Sequence, residues 1–116
     1  MPTDAEPLNQ QLEPFRVDVH PERDVVRVVP VGELDLATAG VLERELHELR
    51  NSGFDHVVLD MRRLTFIDSS GIRVVLSEHR FADASNRRLT LLGVPPVIRR
   101  ALEVCGLLDH LNVDPG

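Results

Sequence analysis

The residues best suited to chemistry are Asp68-Ser69-Ser70-Gly71, set between Phe66-Ile67 and Ile72. Two adjacent hydroxyls, an acid and a glycine stand where a loop turns into a helix. Asp68 or Ser69 is suited to cap that helix by accepting a hydrogen bond from a first-turn N–H, a contribution of about 1 kcal/mol. Capping needs only one side chain, yet three small polar residues follow one another. Leu64, Phe66 and Ile67 before the segment, and Ile72, Val74 and Val75 after it, are expected to pin it by packing. Gly71 allows a backbone or a bulky group to come close. A rigid, uncluttered serine loop of this kind can be read by a kinase or a partner protein. Phosphorylation there would add roughly −1.5 to −2 charges and three acceptor oxygens beside the backbone N–H groups of a helix start.

Catalytic chemistry has less support. Neither serine lies in a Gly-X-Ser-X-Gly elbow, and the histidines (20, 47, 56, 79, 110) are dispersed along the chain. No acid–base pair stands at a useful spacing. There is no His-X-His, no His-Glu-X-X-His and no second cysteine beside Cys105, so no metal site is expected. Gly93-Val94-Pro95-Pro96 lacks the glycines and lysine of a phosphate-binding loop. We therefore expect no catalytic residue, no metal and no cofactor.

The bulk numbers agree with a small binding domain. A chain of 116 residues with 42% apolar content can bury one core. It has four phenylalanines and no Trp or Tyr, so the core must be built mostly from Val, Leu and Ile. That scarcity argues against base stacking on single-stranded nucleic acid. The net charge of −6 has the wrong sign for a duplex footprint, and Arg62-Arg63, Arg87-Arg88 and Arg99-Arg100 are too short to reverse it. No direct nucleic-acid partner is expected. A lone cysteine and the lack of a signal-peptide pattern point to the cytoplasm, and no apolar run approaches the roughly 18 residues a bilayer span needs.

Residues 1–14 are polar and proline-rich and read as a disordered leader; a single domain is expected over 15–113. Phe15, Val17 and Val19 alternate with polar residues as in a half-buried strand. After a turn at 20–24, Val25 to Val31 forms a second strand, antiparallel to the first, with Pro30 near its end. Gly32-Glu33-Leu34-Asp35 is expected to leave the sheet, and Thr38 or Asp35 to cap a helix whose inner face is Val41, Leu42, Leu46 and Leu49. Gly53 is placed to end it. His56 to Met61 reads as a strand parallel to the second. A loop over 62–67 leads to the serine segment and a second helix, with Ile72, Val75, Leu76 and His79 inward. A strand over 88–93 follows. A third helix is expected from Pro95-Pro96 to Gly106, with Val97, Ile98, Ala101, Leu102 and Cys105 inward. Residues 107–113 suit a half-turn or an edge strand. The fold class expected is α/β (an α+β sandwich): a mixed four- to five-stranded sheet with helices packed on one side.

Asp68-Ser69-Ser70-Gly71, preceded by Leu64-Thr65-Phe66-Ile67, resembles the signature loop of STAS domains, and most nearly that of the bacterial anti-sigma-factor antagonists (anti-anti-sigma factors). Three further stretches are similar to that family in order. They are Gly32-Glu33-Leu34-Asp35, His56-Val57-Val58-Leu59-Asp60, and Val94 to Leu102 ending in Cys105-Gly106-Leu107. Together the matches extend over about residues 15–113.

The resemblance implies a STAS-like fold, no enzymatic activity, and regulation of transcription by partner switching. Ser70 matches the residue that a serine-kinase anti-sigma factor phosphorylates, and Ser69 a neighbour usually left unmodified. Asp35 and Asp68 match acidic positions on the partner-facing surface, with Ser69, Gly71 and Arg73 beside them. Unmodified, such a protein binds its kinase, which then releases a sigma factor. The phosphoprotein lets go, and a serine phosphatase resets it. Arg73 stands where many relatives carry glycine, a departure that can alter partner choice. An alternative role within the family is a STAS adaptor subunit of a lipid- or solute-transport or stress-signalling complex.

Overall fold

The structure, a computed structural model, describes residues 14–116. The expected leader, but for Pro14, lies outside the described residues. Alternation builds the first hairpin. β1 (Arg16–Glu22) pairs antiparallel with β2 (Val25–Leu34), placing Val17 opposite Pro30 and Val19 opposite Val28. The turn is tighter than expected, only Arg23 and Asp24, with Arg23 in the left-handed region at φ 61°.

After β2 come α1 (Ala39–Arg50), β3 (His56–Asp60), β4 (Leu64–Ile67), α2 (Ser69–Ala84), β5 (Arg88–Leu92) and α3 (Pro96–Val104). A 3-10 turn at Leu108–His110 and a short β6 (Val113–Asp114) close the domain, so residues 107–113 hold both the half-turn and the start of an edge strand. The sheet is mixed and six-stranded, in the order β1-β2-β3-β5-β6, with β4 also on β2.

The α/β class and mixed sheet are as expected; β4 and β6 make the sheet wider. β4 corrects the expectation of a loop over 62–67. It also explains why Gly32-Glu33-Leu34 does not leave the sheet. β2 pairs in parallel with β3 from Val25 to Val28, then with β4 from Gly32 to Leu34. Pro30 falls between the two pairings, where its missing N–H deprives neither neighbour of a ladder bond.

One sheet face is apolar and the other polar. Val26, Val28, Leu59, Leu89 and Leu91 belong to the buried core, together with Leu42 and Leu46 of α1, Val74 and Val75 of α2 and Ile98 and Leu102 of α3. The opposite face carries polar side chains such as Arg27, His56, Asp60, Arg88 and Thr90. The helical faces match the expected ones only in part. In α1, Leu42 and Leu46 are buried as expected, but Val41 is exposed. In α3, Ile98 and Leu102 point inward while Val97 and Cys105 do not. Gly53 and Gly106 follow helices in the left-handed region, at φ 79° and 71°, as their placement predicts.

The inward face of α2 needs the largest correction. Gly71, Val74, Val75, Glu78 and Ala82 are buried, whereas Ile72, Leu76 and His79 are half-buried. The helix is turned by about a quarter of a revolution from the apolar stripe because a glutamate occupies the core side. Glu78 is held by Arg50 of α1, whose Nε and Nη2 donate to Oε1 at 3.1 and 2.9 Å. The Arg50 guanidinium also lies 4.3 Å from the Phe81 ring centroid.

Candidate functional site

The serine segment is the first turn of α2, and Asp68 is its N-cap. Asp68 Oδ1 accepts from the Ser70 and Gly71 N–H groups at 2.8 and 3.3 Å, which satisfies two donors that have no partner inside the helix. The other carboxylate oxygen reaches a different loop. Leu36 N–H donates to Asp68 Oδ2 at 3.2 Å, and Asp68 N–H donates to the Leu34 carbonyl at 3.1 Å. The cap therefore also ties the start of α2 to the turn after β2, joining the stretches around Asp35 and Ser70.

Asp35 organises that second turn. Its Oδ1 accepts from the N–H groups of Ala37 and Thr38, at 3.0 and 3.2 Å. The Asp35 N–H donates to Thr38 Oγ1 at 2.9 Å. Thr38 is the N-cap residue of α1, but its side chain makes no cap bond to the helix; its hydroxyl donates to the Glu33 carbonyl instead.

Packing fixes the segment from below. A Cβ on Gly71 would lie 2.7 Å from Leu34 Cγ and 2.8 Å from Ile67 Cγ1, distances no side chain tolerates. Glycine lets α2 close onto the end of β2 and β4. Gly71, expected beside the partner-facing surface, is buried, and its close approach is to Leu34 and Ile67. Leu64 and Ile67 pack inward as expected, but Phe66 is 44% exposed.

The two hydroxyls differ. Ser69 is exposed and Ser70 is half-buried. At about 100° per residue, Ser69 shares the outer stripe of α2 with Arg73 and Arg80, while Ser70 is turned toward the Val74 flank. Arg73 is exposed, one turn beyond the serine pair. Among the expected site residues, Asp68, Ser69, Ser70 and Arg73 are thus brought together on one helix start, and Asp35 joins them through Leu36. Leu36 itself was not anticipated. Its contribution is a backbone N–H in a turn, which no side-chain pattern signals, yet its side chain is 82% exposed.

A polar cluster at the far end of β3 shapes the approach to β4. Arg62 Nε and Nη2 donate to Asp60 Oδ1 and Oδ2 at 2.9 and 2.7 Å, and Arg27 Nη1 donates to Oδ2 at 3.2 Å. The Arg62 hydrogen bond holds the Asp60 carboxyl below the ordinary carboxylate range against the opposing effect of burial. Among the described residues no cluster of His, Cys, Asp and Glu is arranged to hold a metal, and no helix is long and apolar enough to cross a membrane.

A small sandwich carrying a capped serine pair on a glycine-packed helix start defines the class. The STAS domain family model matches residues 16–116, and the chain belongs to that family. Several of the proteins it is similar to are named anti-sigma-factor antagonists. It is 28% identical over 100 residues to the anti-sigma F factor antagonist of Paenibacillus polymyxa, covering 85% of this chain and 86% of that protein. The crystal structure of an anti-sigma factor antagonist from Mycobacterium paratuberculosis has a TM-score of 0.81 at 20% identity, covering 89% of this chain and 87% of that one. SpoIIAA of Bacillus shares the fold in two forms. Its unphosphorylated structure has a TM-score of 0.69 at 22% identity, with 89% of each chain covered. Its phosphorylated structure has a TM-score of 0.67 at 24% identity, with 87% of this chain and 91% of that one covered.

Proposed function

We propose that this domain acts in the cytoplasm as a phosphorylation-controlled antagonist of an anti-sigma factor. Unmodified, it binds a serine-kinase anti-sigma factor and so frees a sigma factor. Transfer of the γ-phosphoryl group from ATP to a serine oxygen, with release of ADP and the hydroxyl proton, switches it off, and a serine phosphatase restores it. The observation that carries this reading is the accessible hydroxyl of a serine pair on a helix start that Asp68 and Gly71 hold rigid.

The surroundings support docking. Leu36 and Phe66 expose apolar surface within the two segments that Asp68 joins. Asp35 and Asp68 add negative charge beside them. Buried in an interface, a neutral hydroxyl costs little, whereas a dianion near Asp68 would have to be desolvated. A loss of about 3 kcal/mol lowers affinity more than a hundredfold, enough to change partners. The fold itself need not change, since SpoIIAA keeps a comparable likeness to this chain in both of its forms.

The resemblance of the signature loop favours Ser70 as the acceptor. A second reading, with Ser69 as acceptor, is favoured by the exposure of Ser69 and the half-burial of Ser70. Incubation with ATP and a cognate anti-sigma kinase, followed by mass-spectrometric mapping of the wild type, Ser69→Ala and Ser70→Ala, tests both. Label lost in one alanine variant identifies the acceptor. No label on either serine would sink the switch and favour the adaptor role, which needs no modifiable hydroxyl.

A further inference from the structure

Resting on that reading, we propose that Arg73 is the intramolecular ligand of the phosphoryl group, so that the switched-off form is held by an ion pair within α2. Ser69 and Arg73 are four residues apart, separated by about 40° around the helix axis, and both lie on its exposed stripe. An anion preceding a cation at this spacing is the favourable orientation. Ser70, at a spacing of three, also lies within one turn.

Two observations single out Arg73. Among the described residues its guanidinium has no hydrogen-bond or ion-pair partner, in contrast to Arg27, Arg50 and Arg62. The helix start offers little in its place, because Asp68 already occupies the Ser70 and Gly71 N–H groups. The Asp35 and Asp68 carboxylates of the joined turns repel a phosphate, and Arg80 stands two turns further along α2. Arg73 can meet the phosphate with a fork of N–H donors, and it is always charged. The pairing would partly neutralise the new dianion and keep it on the helix surface.

The test installs phosphoserine during translation at position 69 and, separately, at position 70, in the full chain, with Arg73 intact and in Arg73→Gln and Arg73→Lys backgrounds. The phosphate is then titrated by 31P NMR. The second ionisation should come at a pH lower by about 0.3 of a unit or more with Arg73 than with glutamine, and lysine should recover part of the difference. The difference should shrink in 1 M salt, where the Debye length is about 3 Å. Equal midpoints with arginine and with glutamine at position 73, for phosphoserine at both positions, would overturn the proposal. Unmodified Arg73→Gln should melt with the wild type, because the side chain is exposed and unpaired. Since no kinase is used, failure here leaves the switch itself standing. Failure of kinase labelling would sink the switch without touching this titration.

Discussion

Leu36 and Asp68, 32 positions apart, meet where the Leu36 N–H donates to Asp68 Oδ2 at 3.2 Å. The contact makes a helix cap into a brace between two loops. The acidic turn after β2 and the serine pair on α2 are thereby held side by side.

Removal of that brace should loosen the surface without unfolding the domain. Asp68→Ala leaves the Ser70, Gly71 and Leu36 N–H groups without their carboxylate, and we expect a loss of about 1–2 kcal/mol in urea denaturation. Asp68→Asn keeps acceptor capacity and should lose less. Equal stability of the alanine variant and the wild type would show that the cap does not contribute.

Gly71→Ala tests the packing beneath the serines. The added methyl would press on Leu34 and Ile67, both in the core, and overpacking of this kind costs about 1–3 kcal/mol. Calorimetric melting should show a lower Tm even with Asp68 intact. A variant as stable as the parent would mean that α2 can slide outward freely.

Arg50→Ala isolates the buried charge of α2. It leaves Glu78 in the core without its ion-pair partner, and a loss of about 3 kcal/mol is expected, the lower end for a broken buried pair because Arg50 is itself partly exposed. Arg50→Ala with Glu78→Leu should recover much of the stability. Failure of the double variant to improve on the single one would contradict this account.

Stability should also fall on acidification in two steps. Burial and the nearby Arg88 guanidinium lower the pKa of His56, against a smaller opposing effect of Asp24. His56 Nε2 lies 2.8 Å from Thr90 Oγ1, while Arg88 Nη2 lies 3.2 Å from Nδ1. Because arginine can only donate, Nδ1 accepts and Nε2–H donates to Thr90. The folded state thus favours neutral imidazole, so its contribution is complete above about pH 6.5 and is lost as pH falls through the folded pKa. Asp60, lowered by Arg62, contributes above the ordinary carboxylate pKa of about 4 and is lost below it. Denaturation midpoints followed from pH 8 to pH 3 check both. His56→Gln should flatten the first step, and Asp60→Asn the second.

Much of this architecture could be read from residue patterns, and the exceptions have physical causes. Alternation in β1 and the apolar runs of β2, β3 and β5 announce strands, and Gly53 and Gly106 mark helix ends. β4 escapes because Leu64-Thr65-Phe66-Ile67 is short and its inward residues sit at both ends, without alternation. The rotation of α2 escapes because periodicity treats a glutamate as a surface residue. Its partner Arg50 is 28 positions away, and only folding brings the two together. At the site, side-chain types disclosed the cap, the serine pair and the glycine. They did not disclose the Leu36 N–H, the burial of Gly71, or the greater exposure of Ser69.

The central claim is that a phosphate on this serine pair expels a bound anti-sigma factor while the domain stays folded. Calorimetric titration of the cognate anti-sigma kinase with the unmodified and the stoichiometrically phosphorylated chain measures that difference directly. We predict an affinity at least a hundredfold weaker for the phosphoprotein, with a Tm within a few degrees of the unmodified chain. Equal affinities, or a phosphoprotein that has lost its cooperative melt, would contradict the account.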